Sequence, residues 1–423
     1  MMGGLRSRVF RVACVVTAGA LWGRAAVAQE ILTAPVGEDE PYVLDTGVHD
    51  NVTATAVVVF DGTISMPGRA WIRVYFADVR LADGSYVRMT SAFDGASQEL
   101  DAVRAAEWSN TSAYFNGDAV VLELVAGPNT TGNRIVVDHV SVSADRSFPA
   151  GTFCGECGLA GREPSDEAFT GRLMPVGCTA SLYNANSCFV SAGHCIIPQL
   201  VMEFNVPPSL PGGGLQHPGP EDQYAVDGAS IEFVNGGVGN DWSKFACFSN
   251  PVTGLTAYGA QGDFRPIARN LPAMFPEDID IFGYGVDMID VLSQTQQHSP
   301  GPLTGTSGPS AWTHLADTTG GNSGSAILHD GEIIGIVTHC TFGCPNFGTK
   351  VDLDTFVDAW SACGAFDFDA DDDVDAADFQ AFQVCFSVMP MPPGCEVFDA
   401  DHSGRVAPLD WPPFLDAMTG PLP

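Results

Sequence analysis

The segment DTTGGNSGSAI, residues 317–327, places one serine, Ser323, among small residues. Gly320, Gly321 and Gly324 lack side chains and tolerate positive φ, so the backbone can bend sharply here. Its N–H groups can then approach a negatively charged atom. The pattern is typical of a nucleophilic serine beside an oxyanion hole, although an ordinary turn has the same composition. We therefore predict catalysis only if partner residues occur elsewhere in the chain.

A histidine just after a predicted strand is the first such partner. In SCFVSAGHC, residues 187–195, an apolar strand leads to His194 and Cys195. Asp241 begins a further predicted strand and could orient the imidazole. Other aspartates between the histidine and the serine occur in loops rich in glycine and proline: Asp222, Asp227 and Asp263. We prefer Asp241 because a strand follows it.

The order His194, Asp241, Ser323 resembles that of the chymotrypsin-like serine endopeptidases. SAGHC and TTGGNSGS look most like the bacterial glutamyl-endopeptidase branch, and the resemblance covers about residues 170–360. It implies two six-stranded antiparallel β-barrels with the site between them. It also implies that Ser323 attacks the peptide carbonyl, His194 transfers the proton and Asp241 orients His194. The N–H groups of Gly321 and Ser323 would form the oxyanion hole.

The residues that would select the substrate side chain are Asp317, Thr318, Thr338 and His339. Asp317 lies six residues before Ser323, where trypsin-like members carry the acid that selects Lys or Arg. Glutamyl-specific members carry a histidine after the GI of a late strand, where GIVTHC has Val337 and then His339. Both specificities stay open, and a purely structural role for Asp317 is the alternative, because DTTGGNSG is a common string in the bacterial branch that the chain resembles. Thr338 lies where the family usually has a serine that hydrogen-bonds the acid.

Asn322 departs from the trypsin pattern. Trypsin-type members carry an aspartate there, which pairs with a newly cut N-terminus on activation. A neutral amide cannot form that buried ion pair. We therefore expect no activation by that route.

The composition excludes several partners. The 423 residues include 18 Lys and Arg and 51 Asp and Glu, a formal charge of −33. Nucleic acid and anionic membranes need a basic surface, so neither is an expected partner. A protein or peptide substrate fits the predicted site, and the mechanism needs no cofactor for catalysis.

The N-terminus resembles a secretory signal. Residues 1–28 contain arginines, a short apolar run and the A-x-A sequence before Gln29, so we expect a secreted or cell-surface protein without membrane insertion. The mature chain then has an odd number of cysteines, most of them expected in disulfides. The predicted pairs are Cys178–Cys195, Cys340–Cys344 and Cys385–Cys395. A metal site of Cys340, Cys344 and His339 is the alternative to the second pair.

The remaining sequence divides into four regions. Residues 31–148 contain short alternating strands and predict an accessory β-sandwich or jelly roll. Residues 149–164 form a connecting segment, and residues 165–360 the protease-like domain. Residues 363–423 predict a small helical module.

That last region contains two acidic repeats, DFDADDDVDAADF and DADHSGRVAPLD, whose first residues lie 32 positions apart. They place oxygen ligands at calcium-loop positions: Asp367, Asp369, Asp371, Asp373, Asp375 and Asp378, then Asp399, Asp401, Ser403, Arg405 and Asp410. The pair resembles a type I dockerin module, which implies structural Ca²⁺ and a cohesin-like or cell-surface partner. A disordered acidic tail is the alternative.

The sequence as a whole predicts a mainly β, secreted serine endopeptidase. The rival prediction is a catalytically silent surface protein that binds through its β-sandwich and tail.

Overall fold

The computed structural model describes residues 29–30, 36–144, 155–157, 161–341, 343–364, 366–368, 374–392, 394–400 and 403–418. The predicted signal peptide and the predicted ligands Asp369, Asp371, Asp373 and Asp401 lie outside these residues. The described chain is mainly β, as the sequence predicts. No helix within it is long and apolar enough to span a bilayer.

The N-terminal region forms a sandwich of two antiparallel sheets. Strand β1 (Gln29–Glu30) precedes it and pairs elsewhere. The strands of the sandwich are β2 (Glu38–Asp45), β3 (His49–Asn51), β4 (Val57–Ser65), β5 (Trp71–Arg80), β6 (Tyr86–Ser91), β7 (Ser97–Leu100), β8 (Thr111–Asn116), β9 (Ala119–Ala126) and β10 (Thr130–Val142), with helix α1 (Ala102–Glu107). One sheet has the order β2-β10-β5-β8, with β3 also on β10, and the other has the order β4-β9-β6-β7. Alternate residues of β9, namely Val120, Leu122 and Leu124, are fully buried in the shared core. The predicted β-sandwich is confirmed.

The next strands build the first barrel. After the short strand β11 (Glu163–Pro164), which pairs elsewhere, they are β12 (Thr170–Met174), β13 (Cys178–Leu182), β14 (Cys188–Ser191), β15 (Val201–Glu203), β16 (Gln223–Ala225), β17 (Glu232–Asn235) and β18 (Asp241–Ala246). The sheet has the order β16-β15-β12-β13-β14-β18-β17. A bridge between Val226 and Cys247 joins the ends of β16 and β18. Six strands therefore curl into a ring, with β17 on its edge.

The second barrel closes through strand pairing. Helix α2 (Ala257–Gln261) precedes its strands β19 (Glu277–Gly283), β20 (Gln297–Ser307), β21 (Ala311–His314), β22 (Ala326–His329), β23 (Glu332–Cys340) and β24 (Asn346–Lys350). Their order is β23-β22-β19-β20-β21-β24, and β24 pairs with β23 again. Two short strands attach to this barrel: β11 pairs with β20, and β1 pairs with β23. The double-barrel class predicted from the sequence is confirmed.

The sandwich and the first barrel share a buried interface. Met174 and Val201 of the barrel belong to the same apolar cluster as Trp71 of the sandwich. Gln223 also bonds to the backbone N–H and carbonyl of Tyr114. The sandwich is therefore packed directly against the first barrel.

Helix α3 (Asp354–Ser361) packs on the core of the first barrel through Phe356, and the C-terminal module that follows contains the helices α4 (Ala376–Cys385) and α5 (Trp411–Ala417). Phe382 of α4 and Phe414 of α5 pack with Phe398 in a small apolar core. The Cys188–Cys363 disulfide ties the start of the module to the first barrel. Arg269 of the protease-like region also lies 2.9 Å from the carboxylate of Asp399.

The disulfides differ from the predicted set at one pair. The described residues contain Cys157–Cys344, Cys178–Cys195, Cys188–Cys363 and Cys385–Cys395. The predicted Cys340–Cys344 pair is wrong, because the connecting segment brings the Cα of Cys157 to 5.7 Å from that of Cys344. Cys340 is itself disulfide-bonded, so a metal site of these cysteines with His339 is also excluded. Cys247 is the free cysteine of the described residues, and burial raises the pKa of its thiol.

Candidate active site

His194 lies in a short 3₁₀ turn, Gly193–Cys195, that directly follows strand β14. The Cys178–Cys195 disulfide joins this turn to β13. A Cβ on Gly193 would overlap the carbonyl of Val234, so only glycine allows the turn to lie this close to β17. These constraints fix the backbone that carries the imidazole.

Asp241 binds His194 through both carboxylate oxygens. Its Oδ2 lies 2.6 Å from His194 Nδ1, and its Oδ1 accepts the His194 backbone N–H at 3.0 Å. Asp241 is fully buried at the start of β18, and its own N–H donates to Thr349 Oγ1 of β24. Because a carboxylate only accepts, the contact keeps the proton on Nδ1 and leaves Nε2 as the proton acceptor.

The rival aspartates bind elsewhere. Asp222 accepts from Asn205, and Asp227 caps the turn at Ala229. Asp263 pairs with Arg265. The preference for Asp241 therefore agrees with the contacts of all four aspartates.

Ser323 lies on a loop that packs against the chain leading to His194. Its carbonyl accepts the Thr179 N–H at 2.9 Å, and a Cβ on Gly324 would overlap Ser191 Oγ. Gly324 also has a φ of +86°, a backbone conformation that residues other than glycine rarely adopt. Ser323 Oγ is buried and has no hydrogen-bond partner among the described residues. A serine hydroxyl on a closely packed, glycine-bounded loop is what the sequence motif predicts.

The neighbouring peptide planes aim two N–H groups away from the loop. Val286 N–H donates to the Gly320 carbonyl at 2.7 Å, and Ser325 N–H donates to the Asn322 carbonyl at 3.0 Å. In a trans peptide the following N–H points opposite to the carbonyl. The N–H groups of Gly321 and Ser323 therefore point outward, and neither donates to another group within the described chain. They fit the predicted oxyanion donors.

Gln294 packs directly beneath Gly321. Gln294 is buried, and its Nε2 donates to the carbonyls of Gly177 (2.9 Å) and Tyr284 (2.5 Å). A Cβ on Gly321, whose φ is +100°, would overlap both Gln294 Nε2 and the Tyr284 carbonyl. The close packing therefore requires glycine at position 321, and Gln294 supports the oxyanion loop from inside.

A buried charged network connects Gln294 to the β-sandwich. Arg172 donates to the Gln294 carbonyl at 2.9 Å and pairs with Glu203 at 2.8 Å. His217 Nδ1 lies 2.6 Å from Glu203, and its ring stacks on Tyr114 of the sandwich. Burial lowers the pKa of His217. Burial alone would raise the pKa of Glu203, but His217 and Arg172 hold it below its ordinary value.

Arg162, which the sequence analysis did not single out, clamps the same loop from the connecting segment. Its Nη1 donates to the Val286 carbonyl (3.0 Å) and to Thr319 Oγ1 (2.9 Å), and its Nη2 lies 3.3 Å from Asp287. Burial lowers its pKa, although Asp287 opposes this. The sequence signal that could have identified Arg162 is that it is a basic residue in a glycine-rich segment of a strongly acidic chain.

Asn322 is satisfied inside its own loop. Its Oδ1 accepts the Thr319 N–H at 3.0 Å. The neutral amide thus has a local partner where the trypsin pattern has a charge. Activation through a new N-terminus remains unexpected.

The predicted substrate-pocket residues separate in the structure. Both Asp317 oxygens accept backbone N–H groups of the connecting segment, from Cys157 and Gly161, which favours a structural role for this carboxylate, and its part in substrate selection stays a prediction. Thr318 N–H donates to Gly155 of the same segment. Thr338 Oγ1 is buried and, among the described residues, does not bond to Asp241.

His339 is the pocket candidate that lies beside His194 and Asp241. Its Nδ1 is 3.9 Å from Asp241 Oδ2, and its ring centroid is 6.3 Å from that of His194. Thus a histidine, and not the predicted threonine, flanks the acid.

Possible metal ligands near the site are already bonded. Within the described chain, Cys178, His194 and Cys195 bring three candidate ligand atoms within 4.8 Å of one another. Both sulfurs belong to the disulfide, so the cluster cannot offer thiolates to a metal.

Two of the predicted calcium ligands lie among the described residues with backbone partners. Asp399 accepts the N–H groups of Ser403 and Gly404, the fifth and sixth residues of its repeat. Asp378 accepts the N–H groups of Phe368 and Asp375. These bonds fix the two carboxylates within their own loops, and calcium binding stays a prediction.

No family model and no curated protein sequence matches the chain. Similar solved structures include a Glu endopeptidase in complex with MPD, with 20% identity over 48% of this chain and 97% of that chain and a TM-score of 0.39. They also include the thermostable serine protease AL20 from an extremophilic microorganism (20% identity, 44% and 92% coverage, TM-score 0.34) and human heparin binding protein (14%, 48% and 94%, TM-score 0.35). The assignment of catalytic roles therefore rests on the contacts of His194, Asp241 and Ser323.

Proposed function

We propose that the chain is a secreted serine endopeptidase with the triad His194, Asp241 and Ser323. The observation that carries the proposal is the double contact of the buried Asp241 carboxylate with the His194 ring and backbone. That contact fixes both the tautomer and the orientation that a general base needs. The rigid Ser323 loop supports the same assignment.

In the proposed reaction, His194 Nε2 accepts the Ser323 Oγ proton as Oγ attacks the peptide carbonyl. Asp241 stabilises the imidazolium, and the N–H groups of Gly321 and Ser323 bind the developing oxyanion. His194 then gives its proton to the leaving amine, which leaves an acyl-enzyme on Ser323. Water, deprotonated by His194, hydrolyses this ester and restores the hydroxyl.

We further propose that the acidic tail binds structural Ca²⁺ and then a cohesin-like or cell-surface partner. The orientation of Asp378 and Asp399 supports the calcium site, and the dockerin resemblance supports the partner class. When bound, calcium would neutralise the crowded carboxylates and order the loops. It has no part in the peptide cleavage.

Labelling with a fluorophosphonate tests the catalytic proposal. We expect the parent chain to be labelled on Ser323 and to cleave casein, and Ser323→Ala to lose both activities. Ser325→Ala is the matched control, because Ser325 Oγ is equally buried and unpartnered within the described residues. Labelling that persists in Ser323→Ala would refute the assignment. A parent chain that neither labels nor cleaves would favour the silent binding protein.

A further inference from the structure

Strand β23 passes the catalytic pair at its C-terminal end, where His339 flanks Asp241 and His194. One edge of β23 pairs with β24, placing His339 opposite Phe347. The other edge of β23 pairs with β22 as far as Ile336 and bonds to the Ser323 loop at Val337, so only the residues after Val337 are open to main-chain hydrogen bonding on that edge. An extended peptide added at that edge would lie directly beside the triad.

The chain's own N-terminal strand occupies that edge. β1 pairs with β23 in antiparallel register, with Gln29 opposite Cys340 and Glu30 opposite His339. The contact is between main chains, so it does not require particular side chains. The sequence predicts signal cleavage immediately before Gln29, and cleavage there would make β1 the first strand of the mature chain.

A second contact places this part of the chain beside the oxyanion loop. Val36 N–H donates to the Pro175 carbonyl at 2.8 Å. A Cβ on Gly177 would lie 3.0 Å from Val36 Cγ2 and 2.8 Å from Gln294 Oε1, and Gln294 packs on Gly321. β1 thus lies beside His339, which flanks Asp241 and His194. At Val36 the same chain lies beside Gln294, which packs on Gly321.

We propose that β1 is an intramolecular inhibitor, which holds the peptide-binding edge of β23 until a substrate displaces it. This inference rests on the proposed endopeptidase function. Being covalently attached, β1 acts at a high effective concentration and can compete although only two residues pair. The shortness of the pairing also allows a long protein substrate, with more main-chain hydrogen bonds, to replace it.

The test compares two double variants of the full chain. Gln29→Pro with Glu30→Pro removes the amide N–H of residue 30 and constrains the backbone of both residues, which breaks strand pairing. Gln29→Ala with Glu30→Ala keeps the main chain and is the matched control. If β1 occupies the edge in about nine-tenths of the molecules, only about one-tenth can bind a peptide. We therefore expect the proline variant to raise kcat/KM for a short peptide about tenfold and the alanine variant to match the parent. Equal kcat/KM in all three active chains would overturn the inhibition.

Hydrogen exchange provides a readout that does not depend on catalysis. We expect faster exchange in a fragment covering residues 336–341 of the proline variant than in the parent or the alanine variant. If no chain is labelled by fluorophosphonate but this difference appears, occupation of the edge stands and the endopeptidase proposal fails. If exchange is the same in all three chains, the occupied edge itself is refuted.

Discussion

Two groups of acidic and polar residues in this molecule are assembled in different ways. The catalytic candidates His194, Asp241 and Ser323 come from both barrels and are separated by 47 and 82 positions in the chain. The calcium-loop candidates lie within two short segments, 367–378 and 399–410. A site built from distant strands depends on the whole fold, whereas a loop site depends on its own turn. Changes at the first should therefore abolish activity, and changes at the second should leave it intact.

The largest expected effect is the loss of the acid. Asp241→Asn should lower kcat by about 10⁴, because an amide donor favours the wrong histidine tautomer. Asp263→Asn is the control, since Asp263 pairs with Arg265 and makes no contact with His194 among the described residues. Peptide hydrolysis under steady-state conditions measures both. A similar loss in the control, or none in Asp241→Asn, would contradict the long-range assembly.

The next effect concerns the oxyanion loop. Gly321→Ala should lower kcat by about 10²–10³, the cost of one misplaced oxyanion donor. The added methyl group would overlap Gln294 and the Tyr284 carbonyl. Gly331→Ala has a similar positive φ but open space around it, so it isolates the conformational cost. Equal kcat values for the two variants would show that packing beneath Gly321 does not control the donor.

A smaller effect should appear in the acid stability of the second barrel. Burial lowers the pKa of His314 from 6.5 to about 4, so between these values the unfolded chain binds more protons than the folded chain. The contribution of neutral His314 to the free energy of unfolding is therefore complete above pH 6.5 and decreases as the pH falls. The loss amounts to about 3 kcal/mol by pH 4. Urea unfolding followed by tryptophan fluorescence, in the parent and in His314→Gln, measures it. The same pH slope in both chains would exclude His314 as the cause.

The smallest effect on activity should come from calcium removal. A chelator should leave kcat/KM for a short peptide within about twofold, because the triad mechanism uses no metal. It should also expose residues 363–423 of the full chain to limited digestion, since repulsion among the carboxylates is no longer neutralised. Digestion patterns with and without calcium, read by mass spectrometry, test this. If the chelator abolished peptide hydrolysis as well as the tail's resistance to digestion, the triad would depend on the tail and the two regions would not be independent.

The fold class and the main site candidates could be predicted because they have strong local signals. Alternating burial in strands such as β9 appears directly in the sequence, and glycine next to Ser323 reflects backbone geometry that few other residues allow. The choice of Asp241 depended on one local feature, the strand that follows it. Contacts in the structure support that choice.

The one prediction that is wrong concerns partners that are distant in the sequence. The sequence predicted Cys340 as the partner of Cys344, but the connecting segment supplies Cys157. The same segment also supplies the N–H groups that both Asp317 oxygens accept, and no local spacing predicted these contacts. Spacing within a motif carries no information about a segment that folds back from more than 150 residues away.

The sequence by itself determined the mainly β class, the order of the candidate triad and the acidic repeats, because strand periodicity, glycine-dependent turns and ligand spacing are local properties of the chain. Only the tertiary structure decided which groups surround the site: Gln294 beneath Gly321, Arg162 on the oxyanion loop, His339 beside Asp241 and β1 on the edge of β23. The physical reason is that hydrogen bonding and packing act only at contact distance. Which remote residues come into contact depends on how the barrels close and not on the separation of those residues in the sequence.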